Sequence, residues 1–262
     1  MFIIGERINP AGKADLSRAI REGKKTLIQQ EAIAQERAGA QALDINVYLP
    51  DVERTQAIRI VAEGVRAVSR LRLAIDDREA DVVESGLRHG GSDALINSPI
   101  DPDQVNTKIF SLAEQFNSEM IILPLKANRI PADPEEHLEI SRRTLKRLEG
   151  FGISKDRVVI DAVLLALKQA KERAMNTLET IKRLKADLGV RTVIGLSNLS
   201  YGLKRRQELN ARFLRLAKGC GLDVVICDPL QEEVMAAAKG AAEPSARSEE
   251  KQFLEFAETC WA

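Results

Sequence analysis

Polar side chains able to bind a nitrogen-rich ligand stand at or just beyond the ends of eight short apolar runs. In chain order they are Glu6, Arg7 and Asn9, Asp44 and Asn46, Asp76, Asn97, Lys126, Asp161, Ser197 and Asn198, and Asp228. A carboxylate accepts two adjacent N–H groups, and an Asn amide offers one donor group and one acceptor at fixed geometry. This set predicts a site for a flat heterocycle that carries several N–H donors and carbonyl acceptors.

Two other interpretations of these residues stay open. Asp and Asn often end strands and cap the following helix, which is the simpler interpretation of Asp228 before Pro229. Asp101 before Pro102 is expected only to cap a helix. Alternatively, Asp44, Asp76 and Asp161 would gather around Mg²⁺, whose carboxylate-rich sites are hard to recognise from spacing.

Histidine and cysteine contribute little to this chemistry. The two histidines and three cysteines form no CxxC or HxxxH pair, so we expect no protein-bound metal. Cys227 lies inside the last apolar run and is expected to be a core residue rather than a nucleophile. An odd number of cysteines without framework spacing indicates reduced thiols and a cytoplasmic protein.

The elements that must position the polar residues alternate regularly. The apolar runs cover residues 2–8, 42–47, 71–76, 94–97, 120–125, 158–161, 192–197 and 224–228. Periodic, charged stretches follow them and predict helices, including residues 26–38, 51–69, 134–149, 168–188, 207–218 and 231–239 and one opened by Asp101 and Pro102.

The runs are continuously apolar rather than alternating, which predicts parallel strands buried on both faces. Eight strand–helix units in 240 residues predict a closed (β/α)8 TIM barrel of α/β class. An open, doubly wound sheet is the alternative, but no G-x-G-x-x-G follows the first strand. In a barrel, all eight strand ends converge on one face.

Composition excludes several functional classes. The 39 basic and 39 acidic residues balance, which argues against a nucleic-acid-binding groove, as does the 4% aromatic content. No stretch of about 18 apolar residues predicts a membrane span, and the short apolar start, Met1 to Ile4, lacks the basic segment of a signal peptide.

Several motifs together resemble the pterin-binding methyltransferases, which move a methyl group between 5-methyltetrahydrofolate and a corrinoid. The motifs are Gly5-Glu6-Arg7-Ile8-Asn9, Leu43-Asp44-Ile45-Asn46-Val47, Leu73-Ala74-Ile75-Asp76, Ile96-Asn97-Ser98, Ile160-Asp161 and Gly195-Leu196-Ser197-Asn198-Leu199-Ser200. The similarity is nearest to the methyltetrahydrofolate:corrinoid/iron–sulfur protein methyltransferases and extends to the folate module of cobalamin-dependent methionine synthase. It spans nearly the whole chain in the same order.

The resemblance implies a role for each matching residue. Asp76, Asn97 and Asp161 match residues that hold the pterin ring, and Asn198 matches the catalytic Asn that reaches pterin N5. Arg206 matches a basic residue of the seventh loop near the folate. Glu6, Asp44, Asn46, Gly195 and Ser197 belong to the same motifs and complete the expected substrate-binding set.

The implied partners follow from the same resemblance. Methyltetrahydrofolate or tetrahydrofolate is the expected substrate, and cobalt of a corrinoid (cobalamin) is the expected methyl acceptor or donor. Because one barrel over residues 1–240 and a linker with a C-terminal helix over residues 241–262 fill a single domain, we expect the corrinoid on a separate protein.

Two departures from the family pattern lie near the expected mouth. Tyr48 stands where the family often has Gly, and Tyr201 begins a Tyr-Gly-Leu segment where relatives often carry amides. A dihydropteroate synthase would carry Ser-Thr-Arg-Pro-Gly and Ser-Arg-Lys segments, and neither is present. A homocysteine methyltransferase would need zinc-binding cysteines. A non-catalytic folate-binding barrel stays open as an alternative.

The C-terminal segment concentrates aromatic residues in a chain with few. Phe253, Phe256 and Trp261 predict an amphipathic helix that packs across the barrel base or forms a homodimer contact.

Overall fold

The computed structural model describes residues 1–103, 107–241 and 247–261 and is a closed barrel of eight parallel strands. The strands are β1 (Phe2–Ile8), β2 (Ala42–Ile45), β3 (Arg72–Asp76), β4 (Leu95–Ile100), β5 (Met120–Pro124), β6 (Val158–Asp161), β7 (Arg191–Gly195) and β8 (Val224–Cys227). Each pairs with its sequence neighbour, and β8 closes on β1. The predicted TIM barrel is therefore confirmed.

Helices surround the barrel. They are α1 (Ala14–Arg21), α2 (Lys25–Ala38), α3 (Arg54–Arg66), α4 (Ala80–Gly90), α5 (Thr107–Gln115), α6 (Pro134–Glu149), α7 (Lys171–Arg183), α8 (Arg206–Gly219), α9 (Glu232–Lys239) and α10 (Arg247–Glu258). A π-helical turn, Leu184–Leu188, continues α7. No helix within the described ranges has both the length and the apolar character needed to cross a bilayer.

The loops after β1 and β4 differ from the prediction. Helix α1, whose eight residues follow Lys13, was not predicted from the sequence. Asp101 and Pro102 lie in a turn, where Asp101 Oδ1 accepts the Asp103 N–H at 2.9 Å, rather than opening a helix. Residues 104–106, which precede α5, lie outside the described residues. A short polar side chain can cap a turn as readily as a helix, because both offer free backbone N–H groups.

The C-terminal helix is present, but it lies on the flank of the barrel and not across its base. Phe253 packs against Phe213 of α8, with ring centroids 5.5 Å apart. Ion pairs from α7 also reach α10, including Lys171 to Glu258 at 2.8 Å. Residues 242–246 of the predicted linker lie outside the described residues. The buried Phe253 ring thus has its partner within the same chain.

The barrel interior is filled by one layer of apolar side chains, one from each strand. These are Ile4, Ala42, Ala74, Leu95, Ile121, Val159, Val193 and Val224. Below this layer, at the amino-terminal end, Glu119 accepts hydrogen bonds from Arg72 at 2.7 Å and Arg191 at 2.6 Å. The apolar layer therefore separates this end of the barrel from the carboxyl-terminal mouth, where the active sites of such barrels lie.

Candidate active site

A second layer lies two residues further along every strand. Because side chains two apart on a strand share a face, the residues that follow the apolar layer also point into the barrel. They are Glu6, Asp44, Asp76, Asn97, Leu123, Asp161, Gly195 and Ile226. Asp44 is buried and the other seven are half-buried. This layer is the floor of the barrel mouth.

Asp44, Asp76 and their two Asn partners form one part of that floor. Asn97 Nδ2 donates to Asp44 Oδ1 at 2.9 Å, and Asn46 Nδ2 donates to Asp76 Oδ2 at 2.9 Å. Burial raises the pKa of Asp44 well above its usual value, and the nearby Asp76 carboxylate raises it further. Burial also raises the pKa of Asp76 to about 6, although the Asn46 hydrogen bond opposes this shift.

Asp161 is held at the end of β6 by local backbone geometry. Its Oδ1 accepts the Val163 N–H at 2.8 Å. Val163 has a positive φ of 59°, which is unusual for a β-branched residue, and its carbonyl accepts from Thr177 Oγ1 at 2.9 Å. Surrounding protein atoms keep most water from the carboxyl and raise its pKa to about 6. Functional sites are where such strained residues concentrate.

His137 supports Asp161 from outside the barrel. Its Nε2 lies 2.9 Å from the Asp161 carbonyl oxygen and therefore donates to it, which leaves Nδ1 to accept from Ser141 at 3.2 Å. Burial lowers the pKa of His137 to about 4, so the ring is neutral near pH 7. This support was not predicted from the sequence, because His137 lies on α6 and only the fold brings it to β6.

Glu6 occupies the β1 position of the floor. Ser197, just beyond β7, donates a hydrogen bond to Glu6 Oε1 at 2.5 Å. Burial raises the pKa of Glu6, and the Ser197 hydrogen bond opposes the shift. This hydrogen bond joins β1 directly to the loop after β7.

Gly195 leaves the β7 position of the floor without a side chain, and Asn198 uses the space. A Cβ built on Gly195 would lie 3.1 Å from Asn198 Nδ2, closer than most Cβ contacts. The exposed Asn198 carboxamide therefore folds back over the inward face of β7. Arg206 reinforces this loop, because its guanidinium donates to Ser200 Oγ at 3.0 Å and to the Ser197 carbonyl at 3.1 Å.

The other acids at the strand ends are ion-paired. Asp228 Oδ2 accepts from Arg7 at 3.0 Å, and Arg7 also pairs with Glu31 of α2 at 2.6 Å. Asp228 Oδ1 accepts the Leu230 N–H at 3.0 Å in the turn before α9, whose N-cap residue is Gln231, so Asp228 caps a turn and not the helix as predicted. The pairing with Glu31 was not foreseen, since residues 24 apart in sequence carry no local signal.

Asp77, next to Asp76, is paired as well. Both of its oxygens accept from Arg54, at 2.9 and 2.8 Å. In turn, the Arg54 guanidinium lies 5.3 Å from the centre of the exposed Tyr48 ring. Lys126, another strand-end residue, lies 3.4 Å from Glu136.

The four acids of the floor have no such partners. Within the described ranges, no Lys, Arg or His nitrogen lies within 4.0 Å of a carboxylate oxygen of Glu6, Asp44, Asp76 or Asp161. Each has a raised pKa instead. A ligand that donates several N–H groups would supply the hydrogen bonds that these carboxylates lack.

The described side chains of this site are not grouped in a way that would hold a metal ion. Across residues 1–103, 107–241 and 247–261, no three His, Cys, Asp or Glu side chains are grouped as a metal site. The Mg²⁺ alternative for Asp44, Asp76 and Asp161 therefore gains nothing from the fold. Cys227 is buried with a raised pKa, mainly through burial, and is unsuited to act as a nucleophile, in line with its expected core position.

Sequence comparison finds methyltransferases. The chain is 25% identical over 243 residues to a methylcorrinoid:tetrahydrofolate methyltransferase of Eubacterium limosum, with 90% of this chain and 88% of that protein covered. It is 27% identical over 239 residues to methionine synthase of Mycobacterium tuberculosis, with 86% of this chain covered. The chain spans only 20% of that second protein.

Structural comparison finds dihydropteroate synthases. The Yersinia pestis enzyme in complex with a pterine–sulfa conjugate superposes with a TM-score of 0.70 at 16% identity over 90% of this chain and 91% of that one. The Clostridium difficile enzyme with pteroic acid gives 0.71 at 20% identity over 91% and 94%. At these identities the likeness is one of fold.

The sequence profile of the pterin binding enzymes matches residues 5–228, from the first strand to the residue after the last. That range contains every strand-end residue discussed above. The resemblance seen in the motifs is thereby confirmed, and the chain belongs to the pterin binding enzyme family.

Proposed function

We propose that the protein is a methyltransferase that moves a methyl group between N5 of 5-methyltetrahydrofolate and the cobalt of a corrinoid carried on a separate protein. The proposal rests chiefly on one observation. Four floor carboxylates without ion pairs face the space beside the Asn198 carboxamide. The similarity to a methylcorrinoid:tetrahydrofolate methyltransferase supports it.

The pterin ring is the part of the substrate that suits the floor. Its amino group and ring N–H present adjacent donors, which a carboxylate such as Asp161 or Asp76 can accept together. Asn97 offers the amide donor and acceptor beside them. Leu123 and Ile226 provide half-buried apolar surface for the ring on the remaining strands. Glu6, Asp44, Asn46 and Ser197 hold this set in place through the hydrogen bonds described above.

Transfer from N5 is difficult because a tertiary amine is a poor leaving group. Negative charge would develop on N5 as the bond to the methyl carbon breaks. In the proposed mechanism Asn198 Nδ2 donates a hydrogen bond to N5 and stabilises this charge, while Gly195 leaves room for the carboxamide. As its bond to the methyl carbon breaks, N5 takes up a proton from water and becomes the N–H of tetrahydrofolate. The corrinoid supplies the nucleophilic cobalt, so the chain itself needs no nucleophile.

The remaining partners are also proposals. The corrinoid protein would dock on the carboxyl-terminal face, since the floor carboxylates and Asn198 lie on that side of the apolar layer. A homodimer is proposed as well, and light scattering of the purified protein tests it. Since Phe253 is buried within the chain, Trp261 is the large exposed residue left from the predicted aromatic cluster.

Dihydropteroate synthesis is the alternative function, because dihydropteroate synthases share this fold. The absence of the Ser-Thr-Arg-Pro-Gly and Ser-Arg-Lys segments weighs against it. The test mixes the protein with methyltetrahydrofolate and cob(I)alamin and follows the visible spectrum. Formation of methylcobalamin is expected. Folate binding without any conversion would favour a non-catalytic folate-binding barrel, and synthesis of dihydropteroate from a pterin pyrophosphate and p-aminobenzoate would favour the alternative enzyme.

A further inference from the structure

The loop after β7 is attached to the C-terminal helix at the point where the loop enters α8. The Lys204 N–H donates to the Cys260 carbonyl oxygen at 3.0 Å. The adjacent Arg205 guanidinium lies 4.5 Å from the centre of the Phe256 ring and donates to Thr259 Oγ1 at 3.3 Å. Three contacts, at Phe256, Thr259 and Cys260, thus join the C-terminal end of α10 and the residues just after it to two residues of this loop.

Arg205 itself has an unusual backbone. It is the residue that precedes α8, with φ 53° and ψ 39°, a left-handed conformation that is costly for a residue with a Cβ. Glycine or asparagine would adopt it more easily. A side chain with fixed partners can maintain such a conformation, and Arg205 has them in Phe256, Thr259 and Glu208, the last at 2.6 Å.

The position of Arg205 matters because of its neighbours on the loop. Arg206, the next residue, donates to Ser200 Oγ and to the Ser197 carbonyl, which flank Asn198 in sequence. The Tyr201 N–H also donates to the Asn198 carbonyl at 3.2 Å. The backbone conformation of Arg205 sets the direction of the chain at Arg206. It therefore determines whether the Arg206 guanidinium can reach the segment that carries Asn198.

We infer that Arg205 and Phe256 are positioning residues that fix the loop carrying Asn198 and Arg206, so that α10 contributes to turnover from outside the barrel. This inference rests on the proposed function for its activity readout. Phe253 packs against Phe213 and so covers the flank of the barrel. The inference gives α10 a second role, in positioning the loop after β7.

The chain offers a matched control for the Phe256 contact. Arg212 of α8 lies 4.0 Å from the centre of the same ring and also pairs with Glu208, at 2.9 Å. However, Arg212 lies within α8, away from the loop. Arg212→Ala removes a cation from the ring and leaves Arg205 in place, whereas Phe256→Leu removes both cation–ring contacts and keeps apolar volume.

The first experiment measures kcat for methyl transfer and the Kd for tetrahydrofolate. Phe256→Leu is expected to lower kcat by about tenfold or more, with Kd changed less than about twofold because Asp76, Asn97 and Asp161 are untouched. Arg212→Ala should have the kcat and Kd of the unmodified protein. Phe256→Tyr, which keeps the aromatic ring, should retain the kcat that Phe256→Leu loses. Equal losses in Phe256→Leu and Arg212→Ala, or no loss in either, would overturn the inference.

Arg205→Gly distinguishes the effect of the Arg205 side-chain contacts from the effect of its backbone conformation. Glycine adopts the left-handed conformation readily but has no guanidinium to contact Phe256. If the contacts position the loop, this variant loses kcat as Phe256→Leu does. If it retains full kcat, the backbone conformation alone suffices and the inference is wrong.

Amide hydrogen exchange, read by mass spectrometry over peptides that contain residues 199–206, gives an answer independent of activity. Faster exchange is expected in Phe256→Leu than in Arg212→Ala at the same temperature. This result would stand even if the protein transferred no methyl group, which would refute the proposed function alone. Unchanged exchange in Phe256→Leu would refute the positioning role whatever the activity.

Discussion

The Asn198 carboxamide lies over Gly195, and its Nδ2 is 3.1 Å from where a Cβ on Gly195 would be. Gly195 is the one residue of the barrel floor without a side chain, so an Asn three residues later supplies the polar group for β7. This relationship makes the catalytic proposal specific enough to test at both residues.

Gly195→Ala should displace Asn198 without altering the other floor residues. The added methyl group would push the carboxamide by several tenths of an ångström, and misplacement on this scale is expected to lower kcat about tenfold to a hundredfold. Steady-state kinetics measures it. Gly90→Ala in α4, where a Cβ would meet Ala94 at 3.4 Å, an ordinary contact, is the matched control. Equal kcat in Gly195→Ala and the unmodified protein would contradict the geometry proposed for Asn198.

Asn198→Ala should remove the proposed donor to N5. We expect the barrier to rise by about 2–4 kcal/mol, with a much smaller change in folate affinity, because the lost hydrogen bond strengthens only in the transition state. Single-turnover methyl transfer and a separate folate titration measure the two effects. Asn198→Asp, similar in shape but without the N–H donor, should be impaired to a similar degree. Undiminished turnover in the Ala variant would remove Asn198 from the mechanism.

Asp161→Asn should weaken folate binding while the protein remains folded. The Asn side chain keeps an oxygen for the Val163 N–H but loses a carboxylate that could accept two N–H groups. A loss of about 1–3 kcal/mol in binding is expected by calorimetry. Asp156→Asn, at an exposed position before the opposite end of β6, is the control and should bind normally. An unchanged dissociation constant in Asp161→Asn would exclude Asp161 from the pterin site.

The contribution of Asp76 and Asp161 to stability should fall as pH rises from about 4 to about 7, whereas the lowered pKa of His137 makes its own contribution rise in part of the same range. Both aspartates have a folded-state pKa of about 6, above the ordinary Asp value of 3.8, so the folded protein binds more protons in this range. The stabilising effect of these protons is complete below pH 3.8 and is lost as pH rises through 6. Urea unfolding at a series of pH values measures it.

Asp161→Asn should remove the part of this pH dependence that comes from Asp161. Asp161→Asn is expected to exceed the unmodified protein in free energy of unfolding by about 1–3 kcal/mol at pH 7, and the difference should vanish near pH 4. Asp156→Asn should follow the unmodified protein throughout. A constant difference across the pH range would mean that the Asp161 pKa is not raised by folding.

Much of the fold follows from the sequence alone. Continuously apolar runs such as Val158–Asp161 and Val224–Cys227, separated by amphipathic helices, predicted eight parallel strands, because strands buried on both faces need such runs. The loops were harder. Helix α1 was missed, and Asp101 caps a turn, because a short helix and a capped turn share the same local residue preferences.

The candidate site was also partly visible in the sequence. The positions of Asp76, Asn97 and Asp161 at strand ends, with Gly-Leu-Ser-Asn later, predicted polar convergence at one face. The pairing of Arg7 with Glu31 and Asp228, and the support of Asp161 by His137, join residues that are far apart in sequence. No local pattern encodes such contacts.

The sequence by itself determined which residue types end the strands and, through the period of two along each strand, which of them share the barrel interior. Only the tertiary structure decided which acids form ion pairs and which are buried without one. Asp77 and Asp228 meet arginines from other elements, whereas Glu6, Asp44, Asp76 and Asp161 face the closed interior, where burial raises their pKa values. The physical reason is that ion pairing and desolvation depend on distances and burial, which the closure of the barrel sets.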